Sequence, residues 1–229
     1  MSLYAIADTH LSLGTDKPMD VFKGWSDYVD RLRDNWNRLI KEDDTVVIGG
    51  DISWAMKLEE CYEDFSFLNA LPGKKIFLKG NHDYWWQTKK KIEDYLTQNG
   101  FDTISLLFNN AYAVGDVAVC GSRGWYYDKE TEQDLKVINR EVGRIKTSVS
   151  AAKATGKKPV LFLHYPPVYN GLECEQIMNV ILEEGIEECY YGHLHGANTH
   201  RYATIGDYKG VNMHLISGDY TQFIPVLVR

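Results

Sequence analysis

Side chains that can bind a metal ion occur in short polar motifs, and most of these motifs directly follow an apolar run. In chain order the motifs are Asp8-Thr9-His10, Gly50-Asp51, Gly80-Asn81-His82-Asp83, His164 and Gly192-His193-Leu194-His195. Taken singly, each motif could be an ordinary loop, a strand end or a helix cap. Of the seven histidines in the chain, however, only His200 and His214 lie outside the motifs. Together the motifs therefore indicate a metal site.

The first hundred residues predict three buried strands with helices between them. Apolar runs indicate strands at 3–7, 45–48 and 75–78, and the helical spacing of apolar residues indicates helices at 25–40, 58–71 and 89–98. This β-α-β-α-β order implies a parallel sheet with right-handed crossovers. The carboxyl ends of its strands lie at one edge, where α/β proteins place their chemistry. We therefore expect polar side chains to converge there, namely Asp8, His10, Asp51, Asn81 and His82.

The rest of the chain is richer in strands and again places ligands after them. Short strands are expected at 104–108, 111–114 and 117–120, with a hairpin turn at Gly115-Asp116. Strands at 158–163 and 188–191 precede His164 and His193, and helices are expected at 130–154 and 173–184. Strands at 211–216 and 223–228 end the chain. No repeat or linker interrupts the sequence, so we expect one domain over 1–229.

Composition and charge restrict the class of protein. Hydrophobic residues make up 44% of the 229 residues, and no apolar run is long enough to span a membrane. The N-terminus lacks the basic region and cleavage site of a signal peptide, and no two of the four cysteines form a Cys-x-x-Cys pair. We therefore expect a soluble protein of the reducing cytoplasm without a membrane anchor. The net charge of −7 gives no indication of a nucleic-acid-binding face.

The ordered motifs resemble the signature of the calcineurin-like metallophosphoesterase family. That signature is D-x-H, G-D, G-N-H-[DE], H and G-H-x-H, and every part is present here in the same order between residues 8 and 195. The chain also looks like bacterial uncharacterised phosphohydrolases of this family, because Ile-Ser-Trp follows Asp51 and Tyr-Trp-Trp follows Asp83. The resemblance implies an α/β fold with four α/β/β/α layers, in which two mixed sheets pack face to face and helices flank them.

The resemblance further implies a pair of divalent metal ions, about 3.5–4 Å apart, that hold the phosphate ester during hydrolysis. One ion would be bound by Asp8, His10, Asp51 and His195. The other would be bound by Asp51, Asn81, His164 and His193, so that Asp51 bridges the two ions. A mixed nitrogen and oxygen ligand set favours manganese, iron or zinc over calcium or magnesium. We expect manganese, with iron or zinc as alternatives.

Two residues of the third motif are expected to act in catalysis and not as ligands. In the family, the histidine of the Asn-His pair points at the scissile phosphate. The resemblance therefore gives His82 the role of protonating the leaving oxygen or stabilising the charged transition state. It gives Asp83 the role of holding His82 in position.

Aromatic residues flank several motif loops and could form a platform for a flat part of the substrate. We expect most of them to pack the loops against the sheet. Trp125 and Tyr126 are the best candidates for substrate contact, because their glycine-rich loop contains no metal motif. Arg123 in the same loop could bind a phosphate oxygen, although a surface salt bridge would explain it equally well.

The expected activity is metal-dependent hydrolysis of a small phosphate ester, which could be nucleotide-like. The Asn-His-Asp variant of the third motif and analogy within the family favour a phosphodiester. A phosphomonoesterase or pyrophosphatase acting on a nucleotide or sugar phosphate is the alternative. A non-catalytic binding scaffold with the same fold is a third interpretation, and the retention of His82 and of every ligand argues against it.

Overall fold

Strands and helices alternate along the chain in the computed structural model, which describes residues 1–125 and 131–229. In chain order the strands are β1 (Leu3–Ile6), β2 (Thr45–Ile48), β3 (Lys74–Phe77), β4 (Ile104–Leu106), β5 (Tyr112–Val114), β6 (Val117–Ser122), β7 (Lys158–Leu163), β8 (Val168–Tyr169), β9 (Leu172–Glu173), β10 (Glu188–Tyr191), β11 (Gly206–Tyr208), β12 (Val211–Leu215) and β13 (Val226–Leu227). The helices are α1 (Tyr28–Leu39), α2 (Tyr62–Ala70), α3 (Lys89–Gln98), α4 (Glu132–Lys153), α5 (Glu175–Glu183) and the single turn α6 (Ala197–His200).

The first sheet has the strand order β13-β1-β2-β3-β4. Strands β1 to β4 are parallel, and β13 joins the edge antiparallel to β1. Ile6 pairs with Ile48, and Ile48 pairs with Phe77, so these three strands end in register. The segments that follow them consequently leave the sheet side by side. This confirms the predicted parallel arrangement and the shared edge.

The second sheet has the strand order β11-β12-β10-β7-β6-β5. Its inner strands β6, β7, β10 and β12 are parallel, and the outer strands β5 and β11 are antiparallel to their neighbours. The β5–β6 pair is the hairpin predicted around Gly115-Asp116. Leu163 pairs with Tyr191, so His164 and the motif containing His193 also emerge next to each other.

Three apolar clusters separate the layers. One lies between the two sheets and includes Val47, Ile76, Val119 and Phe162. A second joins the first sheet to α1, α2 and α3, and a third joins the second sheet to α4 and α5. Because both faces of each sheet are covered, every residue of the inner strands β2 and β6 is buried. The arrangement is the predicted α/β/β/α sandwich of two mixed sheets flanked by helices.

Some element boundaries differ from the predictions for local reasons. Helix α1 starts at Tyr28 and not at Trp25, because Asp27 has a φ of 54° and cannot continue a right-handed helix. The predicted helix at 58–71 begins with a 3₁₀ turn, Leu58–Cys61, before α2. The last strand is reduced to Val226–Leu227, since Phe223 has a φ of 60° and packs into the core beside α1.

The cysteines are all buried free thiols. Burial raises the pKa of the Cys120 thiol to about 12, so it stays protonated at neutral pH, as expected of structural cysteines. Within the described parts of the chain, no helix combines the length and apolarity required to cross a bilayer.

Asp64 fixes the loop that carries the second motif to the first turn of α2. Its carboxylate accepts hydrogen bonds from the Leu13 backbone N–H, at 2.8 Å, and from the Ser53 hydroxyl. Burial raises the pKa of Asp64 above its ordinary value of 3.8 despite these bonds. An acid with a raised pKa stabilises the fold most when protonated, so this contribution is complete below pH 3.8 and declines as pH rises.

We expect the Asp64→Asn variant to lack this loss of stability with rising pH. Denaturant unfolding at pH values from about 4 to 8 should therefore show the variant gaining stability relative to the unsubstituted protein as pH rises. A stability difference that stays constant over this range would contradict the shifted pKa of Asp64.

Candidate metal centre

The strand ends bring the predicted ligands into two adjoining groups. In each group the potential ligand atoms all lie within 4.8 Å of one another. The first group is Asp8, His10, Asp51 and His195, and the second contains Asp51, His164 and His193. Asp51 belongs to both groups. The carboxylate and imidazole ligands are thus divided between the two groups as the family resemblance implied.

In the first group the donor atoms face a common point. The Nε2 atoms of His10 and His195 are 3.2 Å apart. The carboxylate Oδ2 of Asp51 lies 3.7 Å from His10 Nε2, and Oδ1 of Asp8 lies 3.4 Å from His195 Nε2. Nitrogen and oxygen lone pairs that converge at these distances suit a divalent cation.

In the second group, the uncharged amide of Asn81 lies next to the carboxylate and imidazole ligands. Its Oδ1 lies 2.7 Å from His164 Nε2, and Asp51 Oδ2 lies 3.4 Å from the same nitrogen. The other ring nitrogen of His164, Nδ1, is 3.1 Å from the Gly49 carbonyl oxygen, to which it can donate. That bond directs Nε2 towards Asp51 and Asn81, as the outer hydrogen bonds of metal-binding histidines do.

Asp51 provides the test of whether these residues fit a metal. One carboxylate oxygen, Oδ1, accepts a hydrogen bond from the His82 backbone N–H at 2.7 Å. The other, Oδ2, is buried and has no hydrogen-bond partner among the described residues. A buried carboxylate oxygen without a partner is costly, and a shared divalent cation would compensate it. The donor set and this oxygen therefore fit a metal at both groups.

The backbone is strained at several of these positions. Asp8, His10, Asp51 and His193 have φ values of 59°, 42°, 50° and 72°, in the left-handed region. This conformation is uncommon outside glycine and costs on the order of 1–3 kcal/mol per residue. Such strain persists where the surrounding structure imposes it, and here it turns ligand side chains back over the edge of the sheets.

The glycines of the motifs allow the loops to approach the ligands closely. A Cβ added at Gly80 would lie 2.1 Å from Asp51 Oδ1, and one added at Gly192 would lie 2.5 Å from Asp8 Oδ2. Neither position can take a side chain without moving a carboxylate. The requirement for glycine in both motifs is therefore steric.

Burial and charge set the protonation of the ligands in the metal-free chain. Burial is the main reason that the pKa values of His10 and His193 fall to about 4. These two imidazoles are therefore neutral at pH 7, which is the form that binds a metal.

The carboxylates have the opposite effect on the remaining histidines. Burial alone would lower the pKa of His164 and His195, but Asp51 beside His164 raises it to about 9, and Asp8 beside His195 raises it to about 10. In return, these histidines hold the pKa values of Asp8 and Asp51 below their ordinary range against the effect of burial. Metal binding must displace the protons of His164 and His195, so metal affinity should increase with pH.

The structure corrects the predicted role of Asp83. Its buried carboxylate accepts hydrogen bonds from the backbone N–H groups of Gly80 at 2.7 Å, Ile52 at 2.8 Å and Asp51 at 3.0 Å. It also accepts one from Trp85 Nε1 at 3.0 Å. With both oxygens used in this way, Asp83 holds the loop that carries Asp51 and forms no hydrogen bond with the His82 ring. The turn that follows Gly80 decides which donors reach the Asp83 carboxylate, and sequence alone could not show this.

His82 lies beside the first group and is not part of either. Its ring centroid is 5.7 Å from that of His10 and 4.7 Å from that of Trp54. The ring nitrogen Nδ1 is buried and has no hydrogen-bond partner among the described residues. His82 also lines a cavity of about 370 Å³ next to the ligands. It is therefore placed to contact a molecule bound at the metal positions.

Asp219 is a functional residue that sequence reasoning missed. Its Oδ1 is 3.1 Å from Nδ1 of His195, and its Oδ2 accepts a hydrogen bond from the Gly196 backbone N–H at 2.7 Å. The signal in the sequence is Gly218-Asp219 shortly after β12, which repeats the strand, glycine and aspartate pattern of the second motif. The Asp219–His195 pair orients the imidazole as carboxylates do at zinc sites.

We expect Asp219→Asn to weaken metal binding by about 10–100-fold at the position held by His195, and much less at the other. The amide retains a hydrogen-bond acceptor but removes the charge. Metal titration followed by calorimetry would measure both affinities. Asp207→Asn, at an exposed carboxylate on β11, is the matched control. Equal weakening at both positions would contradict the proposed contact.

Two of the predicted substrate residues, Arg123 and Trp125, lie together in one aromatic cluster. Trp125 lies edge-on to Tyr165 at a centroid distance of 5.3 Å, and Arg123 lies over Trp125 at 4.9 Å. Tyr165 in turn contacts the His193 ring at 4.5 Å. Arg123 and Trp125 are therefore near the second group, and their contact with substrate stays a prediction. Tyr126 lies outside the described residues.

Two other indoles line the cavity beside the ligands. Trp54 stacks on His10 with a centroid distance of 4.8 Å, and Trp25 meets His195 edge-on at 5.6 Å. Trp25 was predicted as part of a helix face, so its place in the site was missed. Its position follows from the start of α1 after Asp27, because the residues before the helix are turned towards the ligands.

Comparison with known proteins identifies the family. Residues 1–197 match the calcineurin-like phosphoesterases. The chain belongs to this family. The matched region contains all five motifs and all the proposed ligands, and it ends before Asp219. Membership of the calcineurin-like phosphoesterases, together with the two Asp and His groups, indicates a phosphohydrolase that binds divalent metal.

Solved structures support the same fold. A protein of unknown function from Aquifex aeolicus is 20% identical, and the alignment covers 99% of this chain and 95% of that one with a TM-score of 0.55. The phosphopantetheinyl hydrolase of Mycobacterium tuberculosis is 16% identical, with the same coverage and TM-score. At these identities the likeness shows the calcineurin-like fold alone. No curated protein matches the sequence.

Proposed function

We propose that this protein hydrolyses a small phosphodiester with the help of two divalent metal ions, of which manganese is the expected species and iron or zinc the alternatives. The observation that carries the proposal is the presence of Asp51 in both ligand groups, with its Oδ2 buried and without a hydrogen-bond partner among the described residues. Asp8, His10 and His195 would complete one position. Asn81, His164 and His193 would complete the other.

When bound, such ions supply Lewis acidity towards phosphoryl oxygens and acidify water at neutral pH. The residues of the chain provide the geometry. Asp83 fixes the backbone of the loop at Asp51, and the Asp51 carboxylate holds the turn at His82 through a 2.7 Å hydrogen bond. His82 is thereby held against the bound ester, where its ring would donate a proton to the departing alcohol oxygen.

The shape of the surroundings favours a diester. Cavities of about 370 Å³ and 590 Å³ share Lys23, His195 and Asp219 in their linings, so two spaces adjoin the ligand His195. A phosphodiester carries an organic group on each side of phosphorus and could use both cavities, whereas a monoester would need one. A hydrolase of phosphopantetheinyl groups among the proteins of similar fold is in accord with hydrolysis at phosphorus. We place this activity in the cytoplasm.

The test compares bis-p-nitrophenyl phosphate with p-nitrophenyl phosphate on metal-stripped protein refilled with manganese. We expect turnover of the diester that is lost on chelation and returns with manganese. Turnover of the monoester alone would replace the proposal with a phosphomonoesterase. Bound metal without turnover of either ester would contradict the proposed hydrolysis and favour a binding scaffold.

A further inference from the structure

The cavity next to His82 has a mainly aromatic and apolar lining. Its volume of about 370 Å³ is within the range of about 300–1,000 Å³ typical of small-molecule sites. Met19 and Trp25 are buried in its wall, with 8% and 3% of their surface exposed, while Phe22 at the edge is 56% exposed. An aromatic ring left exposed at the edge of an apolar cavity would gain burial from an apolar ligand.

The walls of this cavity are attached directly to the metal ligands. Trp54 stacks on His10 at 4.8 Å, and Trp25 contacts His195 at 5.6 Å. His10 and His195 also line the cavity, so a group that fills it lies directly against two of the metal ligands. The exposed ring of Phe22 offers a flat surface at the edge of the cavity, which favours an aromatic ring over a branched aliphatic group, whereas Trp54 already contacts His10 and Lys17.

The side chain of Lys23 lies where the two cavities meet. Lys23 lines both of them and is exposed. Within 1–125 and 131–229, no carboxylate forms an ion pair with Lys23, whereas Lys89, Lys90 and Lys153 each have one. Asp219 also lines both cavities, but its carboxylate is paired with His195 and with the Gly196 backbone N–H, so the Lys23 ammonium is complementary to a second negative charge on the ligand.

We propose that the leaving alcohol of the substrate carries an aromatic ring, which lies between Phe22, Trp25 and Trp54, and an anionic group, which binds Lys23. This inference rests on the proposed phosphoesterase function and specifies its substrate class. The assignment to the leaving alcohol follows from His82, because the ester oxygen that receives its proton must face the cavity that His82 lines. The class is thus an anionic aryl or aryl-bearing alcohol esterified to phosphate.

Binding of phosphonates to the manganese-loaded protein tests this directly, since phosphonates resist hydrolysis. Methylphosphonate, benzylphosphonate and (4-carboxybenzyl)phosphonate share one head group and add first the ring and then the second charge. Burial of a ring should make benzylphosphonate bind about 10–100-fold more tightly than methylphosphonate. The carboxylate should add about twofold to fivefold, as expected of an exposed ion pair. Calorimetry and tryptophan fluorescence quenching measure these affinities.

Two variants test where the benzyl ring and the carboxylate bind. Phe22→Ala should reduce the advantage of the benzyl group by about threefold to tenfold without changing methylphosphonate binding. Lys23→Ala should remove the gain from the carboxylate and leave the benzyl gain intact. Val21→Ala is the matched control, because Val21 is 73% exposed in the same segment and lies outside the cavity lining. All three positions are at the surface, so the fold should tolerate the changes.

The outcomes separate this inference from the function on which it rests. Binding of methylphosphonate with no further gain from the benzyl group would overturn the inference and leave the phosphoesterase proposal standing. A benzyl gain that Phe22→Ala does not reduce would also overturn it, because the ring would then bind elsewhere. Failure of every phosphonate to bind the metal-loaded protein, with no turnover of the nitrophenyl esters, would instead remove the proposed function.

Discussion

Asp51→Asn is expected to release metal from both positions at once and to abolish hydrolysis. The two ligand groups share only this carboxylate. An amide has one oxygen to offer and no negative charge, so it cannot bridge two cations that repel each other at about 3.5–4 Å. After desalting, the metal content measured by elemental analysis should fall from about two equivalents per chain to near zero.

The control for this variant is Asp44→Asn. Asp44 is also buried, and it accepts hydrogen bonds from the backbone of Ser2 and Lys41 at the opposite end of β2. It should alter stability without altering metal content. One full equivalent of metal retained in Asp51→Asn would show that the two positions are independent and that Asp51 is not the bridge.

His82→Ala should retain both metals and lose activity by about 10²–10⁴-fold, the usual contribution of a general acid. His82 touches the Asp51 carboxylate only through its backbone N–H, which the alanine variant preserves. Steady-state kinetics and elemental analysis on the same sample would distinguish a loss of catalysis from a loss of bound metal. The loss should be smaller for an ester with a good leaving group, which needs less help from an acid.

His214→Ala serves as the matched histidine control, since His214 pairs with Glu188 at 2.8 Å and stacks on Tyr190 away from the ligands. It should keep full activity. His82→Gln tests whether loss of the ring disturbs the neighbouring Trp54 contact, because glutamine fills part of the same space. Unchanged kcat in both His82 variants, with metals bound, would exclude a role in proton transfer.

Most of the fold could be predicted because its signals are local. The apolar runs of β1, β2, β3 and β7 and the apolar periodicity of α3 are long enough to be read from sequence. The packing of two sheets face to face was not derivable from periodicity, because Val47 and Phe162 come from separate strands that meet only in the folded chain. That feature came from the resemblance to a family.

The candidate site likewise has features that could be predicted from the sequence and features that could not. Ligands at strand ends could be predicted because the topology places all such ends together. The role of Asp83 could not be predicted. Whether its carboxylate accepts from the His82 ring or from backbone N–H groups depends on the shape of one turn. Trp25 and Asp219 were missed because their contacts cross more than 20 positions in sequence, to His195 in both cases.

The two ligand groups have a kinetic consequence, because each draws on both sheets. Asp8, His10 and Asp51 follow strands of the first sheet, while His164, His193 and His195 follow strands of the second. Bound ions would therefore cross-link two parts of the chain that are far apart in sequence. The sheets could then separate only after the ions leave, so unfolding would be limited by metal dissociation. Resistance to proteolysis would track the lifetime of the bound metal.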